Sequence, residues 1–101
     1  MTFGLPEKVL KLLQDYFASN PHIIRVFIFG SRAMNREKPG SDVDLAIISD
    51  ESEDISGHVQ AELEELPTPY TFDVVDYQFI TNKHLKEHID RVGKILYQRD
   101  N

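Results

Sequence analysis

The sequence predicts an α+β fold of the α/β-sandwich kind, a small mixed β-sheet with helices packed on it. Runs rich in β-branched and aromatic residues alternate with segments whose apolar residues recur at helical spacing. Pro, Gly and Asn fall at the joins between them. No repeat, low-complexity tract or linker divides the 101 residues, so a single domain over 1–101 with one core is expected.

Pro6 suits the first turn of a helix, and Val9, Leu10, Leu12, Leu13, Tyr16 and Phe17 follow at helical spacing until Asn20-Pro21 stops it. Residues 23–29 read as a strand ending at Gly30. The polar stretch 31–41 is a short helix or loop with a Pro39-Gly40 turn, and residues 43–49 form the next strand. Ile55, Val59, Leu63 and Leu66 make 54–66 an amphipathic helix despite Gly57. Pro67 and Pro69 end it, residues 70–77 read as a third strand, and a last helix runs over about 81–92 to Gly93. Residues 94–98 add a short edge strand.

Charge is distributed unevenly. Residues 1–41 carry six basic and three acidic side chains, a balance of +3, whereas residues 42–101 carry five basic and fourteen acidic ones, a balance of −9. A net charge of −6 argues against direct nucleic-acid binding, which favours a basic stripe that displaces counterions. Absence of cysteine excludes disulfides, thiolate metal sites and a cysteine nucleophile, and suits a cytoplasmic protein. No apolar run approaches the roughly 20 residues of a membrane span, and residues 1–13 lack the pattern of a secretory signal.

The chemistry concentrates in three aspartates and a Gly-Ser pair. Asp42 and Asp44 stand two apart at the start of a strand, so both side chains leave one face with Cα atoms about 6.5 Å apart. Two carboxylates so placed repel each other unless a cation lies between them, and Mg²⁺ takes such hard oxygen ligands together with substrate phosphates. Gly30-Ser31 ends the preceding strand, ten residues before Asp42. If the two strands are antiparallel neighbours, the pairs meet at one sheet edge. There a glycine permits close approach of a phosphate and a serine hydroxyl can hold its oxygens, with Arg32, Arg36 and Lys38 nearby to offset charge. Asp73, flanked by Phe72, Val74 and Val75, is costly to bury without a partner, and a helical crossover would set its strand parallel to that of Asp42 and Asp44. Three carboxylates, a phosphate-holding Gly-Ser and metal form the apparatus of two-metal phosphoryl or nucleotidyl transfer.

Gly30-Ser31, ten residues, Asp42-Val43-Asp44 and a later strand aspartate, Asp73, resemble the DNA polymerase β-like nucleotidyltransferase superfamily. Within it, the small size and the stretch Ile28-Phe29-Gly30-Ser31-Arg32-Ala33 to Ser41-Asp42-Val43-Asp44-Leu45-Ala46 are similar to the minimal nucleotidyltransferase (MNT) group. Members of that group are commonly paired with a small helical HEPN-domain protein as antitoxin and toxin. The resemblance implies transfer of AMP from ATP to a tyrosine of a HEPN RNase, in a homo- or hetero-oligomer. Asp42, Asp44 and Asp73 would hold two Mg²⁺ ions, Asp73 would help activate the incoming hydroxyl, and Gly30, Ser31 and Arg32 would bind nucleotide. Relatives often read Gly-Ser-Arg-Ala-Arg-Gly, whereas Met34 and Asn35 fill the last two places here. Asn35 can adopt the left-handed backbone of a glycine. The alternative is an MNT-fold binding subunit that neutralises its HEPN partner by contact alone.

Two other motifs have simpler explanations. His84-Leu85-Lys86-Glu87-His88 has the spacing of an inverzincin protease but no evident third ligand, so solvent-facing histidines are expected. A haloacid-dehalogenase site would want threonine where Ala46 stands.

Overall fold

The computed structural model describes residues 2–100. Helix α1 (Glu7–Ser19) precedes β1 (Ile23–Phe29), the one-turn α2 (Gly30–Ala33) and β2 (Val43–Ser49). Helix α3 (Ser56–Glu64), β3 (Phe72–Asp76), a 3₁₀ turn (Tyr77–Phe79), α4 (Lys83–Val92) and β4 (Lys94–Gln98) complete the order. The strands lie as β3-β2-β1-β4. β1 is antiparallel to both β2 and β4, and β2 is parallel to β3, the sense that a helical crossover through α3 imposes.

Helices cover both faces of this mixed sheet. Val9, Leu13 and Phe17 of α1 and Val59 and Leu63 of α3 bury against Val26, Ile28, Val43, Leu45, Ile47, Phe72, Val74 and Leu96. On the other face a smaller cluster joins Ile89 of α4 to Phe29 and Ala46. Strand alternation assigns the functional side chains: since Leu45 and Val74 turn to α1 and α3, Asp44 and Asp73 turn to the α4 face with Ala46 and Val75.

Element ends are set by local hydrogen bonds. α3 runs 56–64 rather than 54–66: the Asp54 carboxylate accepts from the Ser56 N–H at 2.9 Å in a turn just before the helix, and the Glu65 and Leu66 N–H groups bond three residues back as the last turn tightens. Asn82 caps α4 by accepting from the Leu85 N–H at 3.1 Å, so the helix begins at Lys83 rather than near 81. Strand β3 is confined to 72–76, since the Asp76 carboxylate accepts from the Gln78 N–H at 3.3 Å and turns the chain into the 3₁₀ segment.

Candidate active site

Gly30 is where the two antiparallel strands close on each other. Phe29 pairs with Asp44 across the β1–β2 ladder, so the residue after Phe29 must turn away beside the Asp44 side chain. Gly30 does so with φ +72°, and a Cβ there would fall inside contact distance of Asp44 Oδ2, with Cγ at 3.1 Å. Only glycine combines that backbone with that lack of bulk. Asn35 takes φ +59°, the left-handed conformation anticipated for it.

Asp44 in turn sits directly beside Asp73, because the parallel register pairs these two residues across β2 and β3. Asp42 lies just before β2, and its carboxylate accepts a hydrogen bond from the Thr71 hydroxyl, just before β3. Three strands therefore bring Gly30-Ser31, Asp42, Asp44 and Asp73 to one edge, as the spacing predicted. Asp44 is half-buried there, while Asp42 and Asp73 are exposed. Burial raises the Asp44 carboxyl above its ordinary pKa, and the charges of Asp73 and then Asp42 add to that; His88 and Arg32 act in the opposite sense. Three oxygen donors that repel one another in this way are a suitable set for Mg²⁺. They line an open edge and are not drawn together: among the described residues, the only three such side chains with ligand atoms all within 4.8 Å of one another are His22, Asp50 and Glu51, elsewhere.

Two sequence readings change. Asp73 pays no burial cost, because its side chain is exposed; the buried carboxylate is Asp76, 2% exposed, whose two oxygens accept from the Gln78 and Ile55 N–H groups. The Arg32 guanidinium, 3% exposed, does not present itself to an incoming phosphate. It donates to the Phe3 carbonyl at 3.1 Å and the Ser41 carbonyl at 2.9 Å and stacks over Tyr70 at 5.2 Å, tying the 31–41 connection to the start of the chain.

His88 also departs from the solvent-facing position expected of it. It is half-buried rather than solvent-facing, with its ring edge-on to Phe29 at a centroid distance of 6.0 Å. Its spacing, three residues after Leu85 and four before Val92, was the available signal. His84 stays exposed, and among the described residues no third ligand joins the His84–His88 pair.

A mixed sheet whose central strand starts with an Asp-x-Asp pair beside a glycine turn, with a third aspartate alongside, defines a nucleotidyltransferase-like palm. The sequence agrees: residues 11–101 match the family described as Polymerase beta, Nucleotidyltransferase, and the chain belongs to it. A comparison with curated proteins finds no match. Among solved structures, a chain of a toxin–antitoxin complex with AMP-PNP is similar over 95% of this chain and 76% of its own, at 21% identity and TM-score 0.69. An MntA–HepT toxin–antitoxin complex carrying a Y104A substitution gives 25% identity and TM-score 0.66 over 95% and 75%. A tri-AMPylated HEPN toxin in complex with MNT antitoxin, from Shewanella oneidensis, gives 22% identity and TM-score 0.61 over 92% and 69%. No helix among the described residues is long and apolar enough to cross a membrane.

Proposed function

We propose that this chain is a metal-dependent nucleotidyltransferase that moves AMP from ATP to a tyrosine hydroxyl of a HEPN partner, and acts in that way as its antitoxin. The observation that carries this reading is the register that seats Asp44 against Gly30 on one side and Asp73 on the other. Neighbours solved with AMP-PNP, and as an MNT antitoxin with a tri-AMPylated HEPN toxin, support it.

The missing side chain of Gly30 lets the Asp44 carboxylate lie against the backbone at the turn, and the Ser31 hydroxyl beside it is a donor for phosphate oxygens. Asp42, Asp44 and Asp73 would hold the metal, and Mg²⁺ bound there would supply charge neutralisation for the attacked α-phosphate and the departing pyrophosphate. The Thr71 hydroxyl orients the Asp42 carboxylate. Asp73, exposed at the edge strand of the sheet, is the carboxylate that an acceptor hydroxyl on a separate protein can reach, and accepts its proton. Arg32 acts as a positioning residue, holding the loop between Gly30 and Asp42. The open edge leaves the acceptor side to be covered by a partner, which fits a protein substrate better than a small molecule.

The test is incubation of the chain with its HEPN partner, labelled ATP and Mg²⁺, with the label located by mass spectrometry. Label on a partner tyrosine, lost with Asp44→Asn and Asp73→Asn, is expected. Protection of cells by both variants without any transfer would establish neutralisation by contact alone instead.

A further inference from the structure

The β1–β2 ladder has a second group of metal-ligating side chains at its opposite end. His22 leads into β1, and Asp50 and Glu51 follow β2. One backbone and one side-chain hydrogen bond hold all three near one another: the Asp50 N–H donates to the His22 carbonyl at 3.0 Å, and the Glu51 N–H to the side-chain Oγ of buried Ser49 at 3.2 Å. Their side chains converge, with His22 Nδ1 lying 2.8 Å from Glu51 Oε1 and 3.1 Å from Asp50 Oδ1. Tetrahedral zinc, with bonds of about 2.0–2.2 Å, spaces its donors by roughly 3.4 Å. Opening the present nitrogen–oxygen distances by about 0.3–0.6 Å would therefore admit the ion.

The imidazole decides which ion. Nitrogen with two carboxylates suits Zn²⁺, whereas the all-oxygen set at the other end of the strands suits Mg²⁺. Three protein donors leave one coordination position open. Beside them an open recess of about 400 Å³ takes His22 and Glu51, but not Asp50, into its wall together with Tyr16, His58 and Glu62. There His58 Nε2 lies 3.4 Å from Glu62, which also accepts from the Tyr16 hydroxyl at 2.6 Å. A second imidazole and a second carboxylate thus line the same recess. Arg99 approaches Asp50 only to 4.0 Å and donates instead to the Pro21 carbonyl.

We propose that His22, Asp50 and Glu51 form a site for a transition-metal dication of the Zn²⁺ class, separate from the aspartate edge, that ties the entry of β1 to the β2–α3 connection. The same three groups without metal form a hydrogen-bonded cluster of His22 Nδ1 with two carboxylates, and the experiment separates the two. The full chain is titrated with Zn²⁺ in excess Mg²⁺ by calorimetry, its thermal unfolding is followed with and without Zn²⁺, and the zinc-loaded protein is examined by X-ray absorption. Expected are one Zn²⁺ per chain that Mg²⁺ does not displace, a rise in Tm, nitrogen in the first shell, and affinity weakened more than tenfold by His22→Gln and by Glu51→Gln. Asp44→Asn leaves this binding unchanged, so the outcome is independent of nucleotidyl transfer. Absence of Zn²⁺ binding, an all-oxygen shell, binding that survives His22→Gln, or loss of binding in Asp44→Asn would each overturn the proposal.

Discussion

Replacing Gly30 with alanine adds one methyl group at the point where β1 turns away from Asp44. With φ at +72°, the left-handed backbone costs an alanine about 1–2 kcal/mol. The new Cβ would lie inside contact distance of Asp44 Oδ2 and 3.1 Å from Cγ, so the carboxylate has to swing aside, at a further cost of about 0.5–1.5 kcal/mol for an off-rotamer side chain. A loss of about 2–3 kcal/mol lowers Tm by roughly 10–20 °C in a domain of this size. The site suffers more than the fold. A misplacement of about 1 Å in a catalytic group costs about 10²-fold, so transfer of labelled AMP at a temperature where the variant is fully folded falls by about that factor. Gly57→Ala is the control: nothing lies within 4 Å of its added Cβ, and in the first turn of α3 it gains up to about 0.5–1 kcal/mol with transfer intact. Thermal unfolding and a transfer assay read both quantities. Gly30→Ala with unchanged Tm and transfer within twofold of wild type would refute the reasoning from close approach.

Other perturbations probe other parts of the account. Asp44 has its pKa raised in the fold, so its contribution favours the folded state at low pH and is lost as pH rises through the folded value. In metal-free buffer Asp44→Asn therefore melts higher than wild type at neutral pH, and the difference closes on acidification into the carboxylate range; a difference independent of pH would contradict this. Arg32→Ala removes two charge-assisted hydrogen bonds from a buried guanidinium to partly buried carbonyls and costs about 3–5 kcal/mol by chemical denaturation, while Arg32→Lys recovers less than half because an ammonium cannot span both acceptors. Phe17→Ala empties a fully buried position where α1 meets the sheet and costs about 3–5 kcal/mol, with Mg²⁺ and nucleotide affinity unchanged in whatever fraction remains folded.

Much of this architecture is legible in the sequence because it depends on local spacing. The ten residues between Ser31 and Asp42 bring the two strands back antiparallel, and the period-two alternation of Val43, Leu45 and Ile47 assigns Asp44 to the opposite face. Helix ends are less legible, since Asp54 and Asn82 set them through side-chain bonds that apolar periodicity does not register. Burial of polar groups is the least legible. Asp73 and Asp76 both stand in the same apolar strand, yet Asp73 faces an uncovered edge while Asp76 faces the α3 side and takes two backbone N–H groups. Arg32 reads as a phosphate ligand beside Gly-Ser, but its carbonyl partners, Phe3 and Ser41, lie 29 and 9 residues away along the chain. His22, Asp50 and Glu51 form no motif in sequence, because β1 and β2 must pair before they meet.

Transfer of a nucleotide to a protein is the role proposed for the Asp42, Asp44 and Asp73 edge. The most direct measurement is the intact mass of the HEPN partner after incubation with Mg²⁺, ATP and either wild-type chain or Asp44→Asn, the variant being first shown to melt no lower than wild type and to bind the partner equally. One or more AMP groups added by the wild type, and none by the folded, partner-binding variant, are expected. A partner left unmodified by the wild type, or modified equally by both, would contradict it.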